Sequence, residues 1–165
     1  ALPYQDFEDT LFPPPGWQNF NITYGTSVWW RDNHGSEGFL IPPGDGYYAE
    51  ANSNSPIGGS NGNVNAYLVT PSVDLRAHDN YELNFRSYFD GSYGQLATVE
   101  YSIDSGDIWE LLYSVIPNTK WVYETIDLSN FSGSNGEQSL FIGFHADDNG
   151  NWASGWAIDN VYISA

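Results

Sequence analysis

Cysteine is absent from the 165 residues, so neither a disulfide framework nor a thiolate metal site is available. The fold must be held by packing or by oxygen-ligated metal. Cations are scarce as well: Arg31, Arg76, Arg86 and Lys120 stand against 21 acidic residues, a formal net charge of −17. Four scattered cations make no basic stripe that could release the counterions of a phosphate backbone, which argues against nucleic acid as a partner. The same surplus of acid disfavours anionic lipid surfaces and attracts divalent cations or neutral ligands, and it also serves plain solubility in a salty medium. No apolar run approaches the roughly 18 residues of a spanning helix, so no membrane insertion is expected. No charged-then-apolar leader opens the chain at Ala1, and any signal peptide is expected to have been removed.

Helix-forming windows are also missing. Gly, Pro, Asn, Ser and Asp interrupt the chain every few residues and leave no room for a long 3.6-residue period. What is present is 41% hydrophobic and 17% aromatic residues, enough to fill a core between two layers in one domain over residues 1–165. The acids are interspersed with Gly, Asn and Tyr, unlike the uninterrupted blocks of a disordered acidic tail. Segments rich in β-branched and aromatic residues predict strands at Tyr67 to Val69, Tyr81 to Phe89, Ala97 to Ile103, Trp109 to Val115, Trp121 to Leu128, Leu140 to Ala146 and Trp156 to Ile163. Pro-rich turns at 13–15 and 42–43 break the first third into short strands and long surface loops, and residues 31 to 65 read mostly as loop. The expected architecture is an all-β sandwich of two antiparallel sheets.

Ser102-Ile103-Asp104-Ser105-Gly106-Asp107-Ile108-Trp109 has the S-x-D-x-G-x-x-W spacing of an Asp-box hairpin. Its role is structural: Asp104 accepts turn amides, Gly106 takes a positive φ, and Trp109 packs back over the turn. In a sandwich the two chain ends often meet. Glu8, in Asp6-Phe7-Glu8-Asp9, and Asp159, in Ile158-Asp159-Asn160-Val161, would then bring together hard oxygen ligands of the kind Ca²⁺ takes. Asp32, in Asp32-Asn33-His34, is a further candidate metal ligand. The loop 147–151 has calcium-loop composition but lacks the distal bidentate Glu of an EF-hand, and reads as a hairpin tip.

Enzymatic constellations are weak. Glu82, Glu100, Glu110 and Glu124 alternate with apolar residues and look outward-facing, so no pair of carboxylates is placed for glycoside hydrolysis. His34, His78 and His145 have neither a Gly-x-Ser-x-Gly elbow nor a His-Glu-x-x-His partner. His145 shares a sheet face with Phe141 and Gly143, which is either a groove floor or plain exterior. Aromatics point more directly to a ligand, because Tyr and Trp on loops offer flat apolar faces with polar edges that stack on sugar rings or anchor a protein. Trp29, Trp30, Tyr47 and Trp156 are weighed among them, and the chosen ligand-binding residues are Tyr93, Trp152, Tyr88 and Tyr48, with Tyr93 and Trp152 expected to be the most exposed.

The chain resembles the cleaved-adhesin family and the related choice-of-anchor J, or MAM-like, jelly-rolls. The resemblance is carried by Phe7-Glu8, Pro13-Pro14-Pro15-Gly16-Trp17, Asn65-Ala66-Tyr67-Leu68-Val69-Thr70-Pro71, Val99-Glu100-Tyr101-Ser102, Ile126-Asp127-Leu128, Ile142-Gly143-Phe144-His145 and Trp156-Ala157-Ile158-Asp159-Asn160-Val161. These motifs run over essentially the whole chain. Asn160 departs from the Asp-Asp-Val ending usual in the family and removes one carboxylate. The resemblance implies a jelly-roll, a structural Ca²⁺ in many members, and a noncatalytic module of a larger secreted or cell-surface protein. Members are known to bind host proteins, haem or polysaccharide. Carbohydrate is the leading ligand here, since a glycan tolerates the acidic surface; a protein-binding adhesin or a structural spacer beside a secreted protease is the alternative, and a glycan-active hydrolase the weakest.

Overall fold

The structure is a computed structural model, and it describes residues 2–23, 27–54 and 64–165. Twelve strands are found among them: β1 Gln18–Asn21, β2 Trp30–Asp32, β3 Gly35–Ser36, β4 Phe39–Leu40, β5 Tyr48–Asn52, β6 Asn65–Val69, β7 Glu82–Tyr88, β8 Leu96–Ser102, β9 Glu110–Ser114, β10 Val122–Asp127, β11 Phe141–Asp147 and β12 Gly155–Ser164. The only helical turns among the described residues are two short 3₁₀ turns, Ser92–Gly94 and Ser129–Phe131. The first sheet runs β1-β6-β11-β8-β9 and the second β10-β7-β12-β5-β2, with every neighbouring pair antiparallel. From β5 to β8, and again from β9 to β12, each strand lies in the sheet opposite to its predecessor, so the chain crosses the core repeatedly in the jelly-roll manner.

The core follows from the alternation of side chains. Leu68, Val99, Ile142 and Phe144 point inward from the first sheet to meet Ala49, Leu83, Phe85, Trp156 and Ile158 of the second. Its aromatic centre is Trp29, Trp156, Phe144 and Phe85, with successive ring centroids 5.4, 5.8 and 5.2 Å apart. The two indole N–H groups of this centre have acceptors: Trp29 Nε1 donates to the Ala66 carbonyl at 3.1 Å and Trp156 Nε1 to Ser87 Oγ at 2.9 Å. Trp29 and Trp156 are therefore core residues, Trp30 is buried on the outer face of the second sheet opposite Glu50, and Tyr47 lies half-buried beneath the Arg31 guanidinium, 3.4 Å from its ring centroid.

All seven strand segments expected from the sequence are strands, with boundaries within two residues. The stretch 31–65 departs from its loop reading. It carries β5, which lies between β12 and β2 in the second sheet, and the small β3–β4 hairpin; residues 55–63 of it lie outside the described residues. Tyr48-Ala49-Glu50-Ala51-Asn52 shows no alternation because both of its faces are buried. Inward, Ala49 and Ala51 meet the core. Outward, the hairpin and the chain after it fold over the sheet, and Phe39, Ile41 and Trp121 pack onto Tyr48, Tyr88 and Ala157 as a second apolar cluster.

The chain ends meet, as expected for a sandwich. Gln5 pairs with Val161 on β12 through two backbone hydrogen bonds of 2.8 and 2.9 Å, and the Ile163 amide reaches the Leu2 carbonyl. A register shift between Asp159 and Tyr162 coincides with Asn160 at φ +52°, a left-handed conformation that Asn tolerates better than most non-glycine residues.

Candidate functional site

Two loops at one end of the sandwich bring Tyr93 and Trp152 together. Tyr93 sits on the turn between β7 and β8, in a left-handed conformation (φ +60°) between Gly91 (φ +70°) and Gly94 (φ +79°). For a tyrosine that conformation costs about 1–2 kcal/mol, so the turn holds the ring outward against its backbone preference. Trp152 lies on the β11–β12 connection, where its Nε1 donates to Asn54 Oδ1 at 3.0 Å and one edge of the ring lies on Gly38, where a Cβ would collide with it. Ser154 ties the two loops through its hydroxyl and its amide, both donating to the Ser92 carbonyl. The two rings meet edge to face, 5.1 Å between centroids at 64°, with Tyr93 67% and Trp152 39% exposed. Asn149 and Asn151 lie on the Trp152 loop, and Asn54 meets the indole from the chain after β5.

Tyr48 and Tyr88 do not join them. They are 1% and 7% exposed beneath Phe39, Ile41 and Trp121, and cannot offer a ring face to a ligand. The expectation of exposure failed because the covering hairpin is distant in sequence. Asp148, in the loop beside Trp152, is buried with three donors on its carboxylate: Val64 N at 2.8 Å, Gly150 N at 3.0 Å and Ser53 Oγ at 3.2 Å. It knits the loop to the chain before β6 and acts as a tether, in keeping with a hairpin tip. The Asp-box hairpin has the geometry expected of it, with Ile108 N donating to Asp104 Oδ1 at 2.9 Å, Gly106 N to Ser102 Oγ at 2.8 Å, and Gly106 at φ +89°.

The outer face of the first sheet carries a polar network that the sequence only hinted at. His145 stacks on Tyr67 at 4.1 Å; its Nδ1 lies 2.5 Å from Glu100 Oε2 and its Nε2 2.5 Å from Asn65 Oδ1. Tyr67 and Thr98 each donate a hydroxyl to Glu100 at 2.8 Å. Trp109 closes over Gly143, where a Cβ would come within 2.8 Å of the indole, so only glycine admits the ring there. Burial alone would raise the Glu100 carboxyl, but the hydrogen bonds from His145, Tyr67 and Thr98 outweigh it and hold the group below its ordinary value. That contribution is present above the unfolded-state value and disappears as pH falls through the lower folded one. Glu100→Gln is therefore expected to lower the melting temperature by several degrees at pH 7, with the gap to the wild type narrowing below about pH 4. A pH-independent gap in calorimetry would show that packing, and not charge, is what Glu100 contributes.

Glu8 and Asp159 share one neighbourhood. Glu8 Oε1 accepts the Tyr47 amide at 2.7 Å, while Asp159 is 2% exposed and its carboxyl is pushed up to about 7, first by burial and with smaller contributions from Glu8 and Asp6. Two guanidinium groups lie there as well. Arg31 donates to the carbonyls of Phe7 (2.7 Å) and Glu8 (2.8 Å), and Arg86, opposite Asp159 across the ladder, pairs with Asp45 at 2.7 Å. Asp32 lies elsewhere, on β2, with His34 Nε2 3.1 Å from its Oδ1. Among the described residues no three His, Cys, Asp or Glu side chains converge as a ready metal set. Asp32 and Glu50 stand on one face of the second sheet, diagonally across the β2–β5 ladder.

No protein-family model matches the chain, and no curated protein matches it in sequence. Solved structures do match in shape. The K1 cleaved adhesin domain of Lys-gingipain from Porphyromonas gingivalis W83 superposes with a TM-score of 0.66 at 18% identity, over 100% of this chain and 98% of that one. The chain has the cleaved-adhesin fold. The same jelly-roll appears in the carbohydrate-binding module TmCBM61, solved in complex with β-1,4-galactotriose (TM-score 0.58, 16% identity, 97% and 94% covered). It appears again in a cyclase from Fischerella sp. TAU (TM-score 0.57, 19% identity, 96% and 92% covered), so the fold hosts binding modules and an enzyme alike.

Proposed function

We propose that this cleaved-adhesin-like jelly-roll is one noncatalytic domain, residues 1–165, of a larger secreted or cell-surface protein, and that it binds carbohydrate through Tyr93 and Trp152. The observation that carries this reading is the exposed aromatic pair itself, held out by a left-handed tyrosine and bordered by asparagines. Aromatic faces stack on the apolar faces of sugar rings, and neighbouring amides bond their hydroxyls. Polysaccharide binding by a module of this shape has a precedent in TmCBM61 with its galactotriose, while the adhesin neighbours favour a host or cell-surface protein as the second reading.

Each stack contributes about 0.5–1.5 kcal/mol, so affinity at one site is modest and depends on avidity in the parent protein. Retention on a panel of glycans and insoluble polysaccharides tests the proposal. Saturable, sugar-specific retention is expected without release of reducing ends, and Tyr93→Ala with Trp152→Ala should weaken it roughly 10- to 100-fold. Unchanged retention in the double variant would remove these two rings from the ligand site; no retention by the wild type on any glycan would leave protein adhesion as the function.

The structural calcium implied by the family resemblance belongs to the same proposal, with Glu8 and Asp159 as its holders. The crowding of Asp6, Glu8 and the buried Asp159 suits a cation, although Arg31 already takes the Phe7 and Glu8 carbonyls. Its loss on chelation is measured in the experiment below.

A further inference from the structure

Beneath the β3–β4 hairpin, the outer face of the second sheet buries two acids and a phenol. Asp32 on β2 pairs directly with Tyr48 on β5, and Glu50 lies two residues further along β5 on the same face. Glu50 is 0% exposed and Asp32 8%. Asn52 Nδ2 donates to Glu50 Oε2 at 2.7 Å, but Glu50 Oε1 receives no donor. Asp32 lies on the same face, diagonally across the β2–β5 ladder, and both carboxyls are shielded from water. The Tyr48 hydroxyl, on a residue 1% exposed, is likewise without a partner. The Gly35 amide close to it donates to Asp32 Oδ2 at 3.2 Å.

Two carboxylates side by side on one sheet face and shielded from water call for a cation or a shared proton between them. With a shared proton the pair keeps one negative charge, to which the Tyr48 hydroxyl would donate, yet that hydroxyl makes no hydrogen bond. A divalent cation matches the two negative charges and also takes the neutral phenol oxygen. We propose that Asp32 and Glu50, with the Tyr48 hydroxyl beside them, bind a hard divalent cation of the Ca²⁺ class. Ca²⁺ accepts six to eight oxygens at about 2.3–2.6 Å, so water supplies the ligands the side chains do not. A pocket of about 350 Å³, walled by Trp30, Arg31, Asp32, His34, Gly35, Ser36 and Asn54, opens onto Asp32 and admits that water, while the Arg31 guanidinium is engaged by the Phe7 and Glu8 carbonyls. His34 lies across its mouth, with Nδ1 2.6 Å from the Gly35 carbonyl, and with 77% of its side chain exposed it is free to swing aside. The acidic surface raises the local cation concentration. Bound this way, the ion would fasten the hairpin to β2 and β5, and so fix Gly38 and Asn54, the supports of Trp152.

This site is independent of the one at the chain ends, and the test separates them. Protein stripped with a chelator is equilibrated with excess Ca²⁺, and bound ion is counted by calorimetry and elemental analysis for the wild type, Glu50→Gln and the double variant Glu8→Gln/Asp159→Asn. The expected result is one Ca²⁺ fewer per chain in Glu50→Gln, with loss of that site's share of the calcium-dependent rise in melting temperature. The double variant keeps it. Equal Ca²⁺ content in the wild type and Glu50→Gln overturns the proposal and assigns the pair a shared proton; a wild type that binds no Ca²⁺ overturns both sites. Should Glu50→Gln fail to fold, Tyr48→Phe decides. It should bind the ion at this site at least about tenfold more weakly, and unchanged affinity counts against the proposal.

Discussion

Trp156→Ala is expected to cost about 3–5 kcal/mol, the range for removing a large aromatic side chain from a packed core. For a chain of this length that is a fall of roughly 6–20 °C in melting temperature. Three observations place the residue at the upper end. Its side chain is fully buried, it touches both Trp29 of the same layer and Phe144 of the facing sheet, and its Nε1 is hydrogen-bonded to a buried serine hydroxyl. The cavity left behind would be walled by strands of both sheets, which cannot collapse inward without losing their ladders. Trp156→Phe keeps most of the packing and forfeits the hydrogen bond, so it should cost clearly less, about 1–2 kcal/mol. Chemical denaturation of the two variants measures the difference. Equal losses would mean that the Ser87 hydrogen bond, and not the packed volume, carries the contribution.

Asp148→Ala should be nearly as damaging while removing far less volume. The carboxylate accepts from Val64 N, Gly150 N and Ser53 Oγ, and each donor stranded in a buried site costs about 1–3 kcal/mol. A total loss of about 2–4 kcal/mol follows once partial access of water to the loop is allowed for. The effect has a local signature. Asp148 joins the Trp152 loop to β5 and to the start of β6, so amide exchange should rise in residues 149–154 before the rest of the sheet. Asp148→Asn keeps one acceptor oxygen and should recover part of the stability. Protection in that loop unchanged from the wild type would place the tether elsewhere, at the Ser154–Ser92 contacts.

These two positions differ in how far the sequence announces them. Trp156 stands in an apolar strand segment, and its inward direction is fixed by the two-residue period through Ile158. Asp148 stands in a run of Asp, Asn and Gly that reads as a solvated turn or a calcium loop. Its burial depends on Val64 and Ser53, more than 80 residues earlier in the chain. The ligand candidates divide in the same way. Tyr93, between two glycines, and Trp152, among asparagines and glycines, carry local signals of exposure. Tyr48 and Tyr88 carry no local signal of the hairpin that covers them.

The sequence by itself determined the all-β class, the seven long strands and the Asp-box turn. Each of these rests on a short-range period or on the conformational preferences of adjacent residues, which are written where they act. Only the tertiary structure decided which outer faces are open. It showed the second sheet covered on both sides around Tyr48 and Tyr88, and set Asp32 against Glu50. It also built the Tyr67–Glu100–His145 network and brought Tyr93 within an aromatic contact of Trp152. Pairing across strands and burial beneath a loop depend on residues 23 to 100 positions apart coming together, and no local pattern records which of them will meet.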